Sequence, residues 1–387
     1  MRFGLLLFLA CLLPGLAFSS HLDDPLPVRD ALPFKLLFLD PPPGGAAIQP
    51  LSRAIVSLNA VYVNTMIATD DLILLYERVG QQLYDGRVDL GVLQMVANAQ
   101  TSRTAFILDG ETLRTTLRAR VGILPRLEVA VEVPFLSQGR GFMDPYIDSF
   151  HQRFHLPDGG RSGFDHNQFR AGYIGDGETV YVDRAPSRMR LGDIVLAATG
   201  GLLVERGRTP ALSLTLSAKL PSGNYRTLDG SGSFDYGAAL RLSKKWGRST
   251  VHAGSAYNVV GEWRLAPGLP LHNSRSMFAA YSFSATPDTS VIAQVLRTAG
   301  PFPLRSGNDL GKVAMEMSAG FRHRLPRGFE LEWSFIENLE PFYNTPDIGT
   351  FVGLNYRSGP ATTSENRPAH HQVTEKSGAS TLVARRP

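Results

Sequence analysis

Cysteine is almost missing from this chain. Cys11 is the one thiol in 387 residues, so no disulfide framework braces the fold. Long apolar runs are missing too. Past the first twenty residues none reaches the roughly 18 residues that a transmembrane helix needs, which excludes a helical membrane protein. A strong charge of one sign is also absent. The formal net charge is +4, and the arginines are spread over many segments instead of clustering on one helix or loop, so no nucleic-acid surface is expected. At 43% hydrophobic residues the chain is nevertheless far from a disordered composition.

What is present starts with MRFGLLLFLACLLPGLAFSS. A basic Arg2, an apolar run from Leu5 to Leu13 and small residues around Ala17 and Ser19 make residues 1–20 a secretory signal peptide, cleaved near Ala17 or Ser19. Cleavage there removes Cys11 as well. Residues 21–50 form a proline-rich lead in which Pro25, Pro27, Pro33 and the run Pro41 to Pro43 forbid regular structure. Its LLFLD segment is apolar enough to need cover. The lead is expected to tuck into or beneath the main domain.

Residues 51–357 are dominated by period two, the strand period, because successive side chains leave a pleated backbone on opposite faces. In TLRTTLRARVGILPRLEVAVEVPF (112–135), Leu113, Leu117, Ala119 and Val121 alternate with Arg114, Thr116, Arg118 and Arg120. After Pro125, Val129, Val131 and Val133 alternate with Glu128 and Glu132. Further on, Leu212, Leu214 and Leu216 alternate with Ser213, Thr215, Ser217 and Lys219. Later runs carry Glu316, Glu330 and Glu332 in the same way, and GTFVGLNYR (349–357) is the last.

These runs exceed the five or six residues usual in soluble strands, and they suit the roughly 9 to 11 that cross a bilayer at a tilt. Short turns alternate with long polar loops. The sequence therefore predicts an all-β fold, an antiparallel transmembrane β-barrel of about 12 strands, or about 14 if residues 70–109 supply a full hairpin. Within that stretch, strands are expected at 72–77, 87–98 and 103–109. Arg114, Arg118, Arg120, Glu128, Glu132, Glu316, Glu330 and Glu332 are expected to face the lumen, since an Arg or Lys at mid-bilayer depth costs about 2–4 kcal/mol. Trp246, Trp263 and Trp333 are candidates for the interfacial aromatic belts.

A long excursion, 137–190, interrupts the alternation and has room for a short helix. In GFMDPYIDSFHQRFHLPDGGR (141–161), Ile147, Phe150 and Phe154 recur at helical spacing. An apolar stripe of Phe142, Tyr146, Phe150 and Phe154 is costly to leave exposed in an exported protein. The segment is therefore expected to fold over or into a barrel mouth as a plug or lid, with Asp144 or Asp148 reaching the arginines of 112–121. Residues 358–387 are expected to be a disordered polar tail.

Catalytic signals are thin. His151 and His155 have the spacing of a helical metal clamp but lack the glutamate of a metalloprotease motif; the plainer reading is the polar face of a loop helix. Ser162, Asp165 and His166 supply the residue types of a hydrolytic triad, but near neighbours in a glycine-rich loop do not reach its geometry. No metal or cofactor is expected. The function expected is passive or gated passage of small solutes, with the lead or the 137–190 excursion as a plug. An envelope-structural or interaction role and a membrane-embedded lipid-modifying hydrolase are the alternatives. Expected partners are outer-membrane lipid, lipopolysaccharide and the barrel-assembly machinery, for a monomer in the outer membrane of a Gram-negative bacterium.

Several stretches carry a resemblance: PLPVRDALPFKLLFLDP (25–41), DGETLRTTLRARVGI (109–123), PRLEVAVEVPF (125–135), GFMDPYIDSFHQRFHLPDGGR (141–161), LGDIVLAA (191–198) and LTLSAKLPSG (214–223). Through them the chain resembles a family of proteobacterial proteins known as domain of unknown function 3187. The resemblance implies an outer-membrane β-barrel and assigns no catalytic residue. Two features depart from its pattern: a long stretch from Asp70 to Phe106, and about thirty polar residues after Tyr356 where an aromatic-ended last strand is the usual assembly signal.

Overall fold

The computed structural model describes residues 21–358, apart from 81, 83, 156–159, 186–187, 306–308 and 340–343. The signal peptide expected over 1–20, and the tail expected over 358–387 beyond its first residue, lie outside the described residues.

Strands β1 (Ala54–Ala68), β2 (Ala105–Leu124) and β3 (Leu127–Gly139) begin a wall. Three short strands follow. β4 (Arg170–Gly175) and β5 (Glu178–Val182) form a hairpin on the first part of β2, and β6 (Arg190–Leu191) pairs with the end of β3. The wall continues with β7 (Val195–Leu203), β8 (Ala211–Lys219), β9 (Asp235–Trp246), β10 (Ser249–Val259) and β11 (Ser274–Ser284). It ends with β12 (Thr289–Ala299), β13 (Val313–Arg324), β14 (Phe329–Asn338) and β15 (Ile348–Arg357). β15 pairs with β1, from Ile55 opposite Arg357 to Asn64 opposite Ile348, so the wall has no free edge. Setting β4, β5 and β6 aside, this is a closed antiparallel barrel of 12 strands.

One end carries tight turns, as between Leu124 and Leu127 or Trp246 and Ser249, and the other carries the long loops. Along the strands the polarity of burial is the reverse of a soluble protein. On β8, Ser213, Thr215 and Lys219 are buried while Leu216 is 57% exposed. Leu58, Leu117, Leu240, Met277, Trp333 and Val352 are exposed in the same way on other strands. An apolar belt of that extent belongs against hydrocarbon, and the alternation leaves every second, polar residue pointing inward.

Residues 70–109 differ from expectation. Where strands are expected at 72–77 and 87–98, the chain is helical: α1 (Asp70–Leu75), a π-turn over Tyr76–Gly80, and α2 (Leu90–Ala99). Asp89 caps α2, its carboxylate accepting from the Val92 N–H at 2.8 Å. Val92, Leu93, Val96 and Ala97 share one side and pack with Ala105, Ile107 and Phe164. Short apolar runs do not separate the two periods, and the cap and the tertiary contacts decide between them. Residues 105–109 are the start of β2, which is 20 residues long, not a strand of their own. That settles the count at the lower value.

In the excursion, α3 (Asp144–Phe154) forms at the helical spacing, with a proline in its first turn and a left-handed His155 at its end. The β4–β5 hairpin was not expected. Its signal was the Asp176–Gly177 pair, both at positive φ, as a two-residue hairpin turn requires. Trp263 also differs. It is fully buried among loop residues, 5.1 Å from the Phe34 ring, and belongs to no interfacial belt. Trp246 and Trp333 remain exposed on the outer wall.

Candidate functional site

The barrel interior is occupied by the proline-rich lead. Its contacts trace a path that rises from the turn end to the loop end and then returns. At the turn end, the Asp23 carboxylate accepts from Lys245 at 2.5 Å, Ser284 at 2.8 Å and Ser290 at 2.7 Å. The Arg322 guanidinium, on the inner face of β13, donates to the backbone carbonyls of Leu22, Asp24 and Pro25. Higher up, Gln294 grips Leu26 at both backbone atoms: its Nε2 donates to the carbonyl at 3.0 Å, and its Oε1 accepts from the N–H at 2.9 Å. Leu26, Val28 and Ala31 pack there on Val61, Val63, Ile292, Ile336 and Phe351, an apolar strip on the otherwise polar inner wall.

At the loop end the lead turns. Lys35 donates to Asp30 and to the Asn344 carbonyl, each at 2.5 Å. Phe34 and Phe38 enter a cluster with Trp263, Phe302 and Leu310 that roofs this part of the barrel. Lys219, 2% exposed at the end of β8, donates to the Leu37 carbonyl at 2.9 Å and lies 2.7 and 3.3 Å from the carboxylates of Asp193 and Asp235. On the way down, Arg241 donates to the Pro42 carbonyl at 3.2 Å, Ser243 accepts from the Ala46 N–H at 2.9 Å, and Glu128 accepts from the Gln49 N–H at 2.9 Å. What remains of the lumen is small. A cavity of about 60 Å³ near the turn end lies between the lead and Arg118, Arg241 and Glu330, with two of about 20 Å³ beside it.

The charged residues singled out in the sequence fall as follows. Glu132 accepts from Arg114 at 2.8 Å and from Arg29 of the lead at 2.6 Å. Arg120 meets Glu128 at two points, 2.7 and 3.0 Å. Arg322 pairs with Glu332 at 2.5 Å and Arg357 with Glu330 at 2.9 Å. Glu316 is 4% exposed on β13. Arg118 alone among the expected arginines has no ion pair or hydrogen bond among the described residues. The lead's own Asp23, Arg29 and Lys35, and the wall residues Lys219, Arg241 and Gln294, were not singled out. Lys219 and Arg241 stand on the polar phase of their strands, which was the available signal; nothing local marks the lead's charges as their partners.

The 141–161 segment is arranged differently from expectation. Asp144 and Ile147 are buried, whereas Phe142, Tyr146, Phe150 and Phe154 are all more than half exposed. Phe142 stacks on Tyr62 of β1 with ring centroids 6.0 Å apart. Asp144 and Asp148 do not reach the arginines of 112–121. Both lie against Arg161, at 2.6 and 3.6 Å, and the same guanidinium donates to Asp347 and to Asn64 of β1. An arginine seventeen residues away in the same loop closes this contact with less chain to order than the barrel wall would require.

Burial pushes the Asp347 carboxyl up to about 6, with Arg161 opposing the shift. His166 bonds Asp148 at 2.6 Å, and Asp165 lies 3.9 Å from Arg87. His155 is the left-handed cap of α3, and the Nδ1 of His151 is buried without a hydrogen bond. Among the described residues no group of three His, Cys, Asp or Glu side chains is placed to hold a metal ion.

Among solved structures, the COG4313 outer membrane channel from Pseudomonas putida F1 is 14% identical with a TM-score of 0.51, and the match covers 82% of this chain and 99% of that one. The Pseudomonas putida toluene transporter TodX is 9% identical at a TM-score of 0.34, covering 81% and 92%. The NanC porin is 8% identical at 0.38, covering 63% and 93%. The first likeness is one of fold. No curated protein matches. The family model described as "Protein of unknown function (DUF3187)" matches residues 61–358, most of the chain, and the protein therefore belongs to the DUF3187 family.

Proposed function

We propose that this protein is an outer-membrane channel for small solutes, gated by its own residues 21–50. One observation carries the reading: the lumen is lined by charged and polar side chains and occupied by a segment that belongs to none of the strands. Its contacts with the wall include separate hydrogen bonds to Arg241, Ser243 and Glu128, each worth about 0.5–1.5 kcal/mol net. Both its ends lie at the turn end, near Asp23 and near Gln49, so it can leave as one hairpin without unpicking a strand. Arg114, Arg118, Arg120, Glu128, Glu132, Glu316, Glu330 and Glu332 would then line the opened path.

In the same reading, Asp144 and Asp148 hold 141–161 at the rim. Phe142, Tyr146, Phe150 and Phe154 face lipid headgroups and lipopolysaccharide, where aromatic rings are favoured. The protein is exported by residues 1–20, assembled by the barrel-assembly machinery through β15 and Tyr356, and works as a monomer without enzymatic activity. A static envelope role is the second reading, favoured by the dense bonding around Lys35 and Lys219.

Planar-bilayer recording separates them. The full chain is expected to give small, intermittent steps, and a variant lacking 22–49 large and lasting ones. A folded, heat-modifiable variant that stays silent would overturn the channel reading.

A further inference from the structure

Five arginines border the cavity near the turn end, against the carboxylates of Asp24, Glu330 and Glu332. Three of the five are matched: Arg120 by Glu128, Arg322 by Glu332, and Arg357 by Glu330. Two are not. Arg118 has no hydrogen bond or ion pair among the described residues. Arg241, 6% exposed, has only neutral acceptors, the Thr215 hydroxyl at 3.4 Å and the Pro42 carbonyl at 3.2 Å. Both also border one of the neighbouring 20 Å³ cavities.

We propose that Arg118 and Arg241 hold a small oxyanion inside the barrel. Neither guanidinium touches a carboxylate: Glu128 acts on both, and Glu132 and Asp24 on one each, only across space, while the two arginines repel each other, and an anion between them offsets that repulsion. A guanidinium fork suits the oxygens of a carboxylate or a phosphate, and two forks on one space suit a group with three or more oxygens. The cavity, at about 60 Å³, exceeds the roughly 10–15 Å³ that one water occupies on the same measure.

Two further features point to the kind of anion. Gly44 of the lead passes over the Arg241 guanidinium, where a Cβ would lie 3.5 Å from its carbon, so the lead roofs the site without a side chain. Asn59, 8% exposed on the same wall, has an amide oxygen with no donor. Hydrogen phosphate offers acceptors to both arginines and an O–H to Asn59; sulfate and acetate offer acceptors alone. Phosphate is therefore the anion expected to bind best.

The inference rests on the channel reading only for the route by which the anion arrives; binding can be measured apart from it. The full chain in detergent is titrated calorimetrically with inorganic phosphate, then with sulfate and acetate, at low chloride. Saturable binding is expected, in the order phosphate, sulfate, acetate. Arg118→Gln and Arg241→Gln are each expected to weaken phosphate by tenfold or more, and Arg226→Gln, on an exposed loop, to leave it unchanged.

A second readout guards against a folding defect. Neutralising either arginine relieves repulsion, so each variant is expected to melt no lower than the parent without anion and to lose the phosphate-dependent rise in melting temperature. No saturable binding by the parent, or equal binding by the double variant, would overturn the site. Reversal potentials in a salt gradient test the channel reading separately. Binding with a silent bilayer leaves the site standing and removes the channel; conductance without binding does the reverse.

Discussion

Gly45 and Asp24 touch across the two arms of the lead: a Cβ on Gly45 would fall 1.9 Å from the Asp24 Oδ1. The arms can therefore run side by side inside the barrel only while position 45 has no side chain. Gly45→Val is expected to push them apart and to cost about 1–3 kcal/mol, as overpacking does elsewhere. Bilayer recordings should show a higher open fraction than the parent. Unchanged gating with unchanged melting would show that the arms are not in contact.

Gln294 is the only wall side chain among the described residues seen to bond both backbone groups of one lead residue. Gln294→Leu keeps the bulk but leaves the N–H and carbonyl of Leu26 without partners, each at about 1–3 kcal/mol when still buried. Hydrogen exchange at the amides of 26–31 is expected to accelerate while the strands stay protected. Uniform acceleration would mean that the whole barrel had been weakened instead.

Lys219 stands between two acids and a lead carbonyl. Lys219→Met leaves Asp193 and Asp235 buried without their cation, a loss of about 3–5 kcal/mol when one partner of a buried pair is removed. The heat-modifiable form in detergent should unfold at a lower temperature, and limited proteolysis should cut the 220–234 loop sooner. An unchanged melting temperature would argue that water already reaches these carboxylates.

Asp347 gives a pH dependence with a definite sign. Its folded value of about 6 lies above the unfolded value, so the folded loop binds the proton more tightly. Its stabilisation is complete below the unfolded value of about 3.9 and is lost as the pH rises through about 6. Amide protection around 345–348 is expected to grow as the pH falls from 7 towards 5. Asp347→Asn, which removes the titrating group, should flatten that profile. A profile unchanged in Asp347→Asn would assign the effect elsewhere.

Period two in the strands was legible because each strand has a single phase fixed by lipid on one side and a wet interior on the other. Arg114, Arg118, Arg120, Glu128 and Glu132 could be assigned to one side of their strands from that phase alone. Residues 87–98 could not be read the same way. Outside the membrane no such division exists, and Val92, Leu93, Val96 and Ala97 owe their helix to the Asp89 cap and to packing on Ile107. The pairing of Arg29 with Glu132 was beyond the sequence, since it joins residues 103 apart through a proline-rich segment with no period at all. For Phe142, Tyr146, Phe150 and Phe154 the stripe itself was readable, but not that it stays exposed while Asp144 and Ile147 turn inward, because that choice is made by Arg161 in the same loop.

The lead precedes β1, and β1 closes the barrel against β15. Leu51 bridges Gly122 at the foot of β2, and the Ala54 carbonyl accepts from the Ser358 N–H beside it. At the far end the lead's Phe34 packs under Trp263 and Phe302. The seam between the first and the last strand is thus the one next to the lead's own root. The lead's root is therefore anchored beside the closing seam, so a lead that swings out of the lumen stays tethered to the wall and can return.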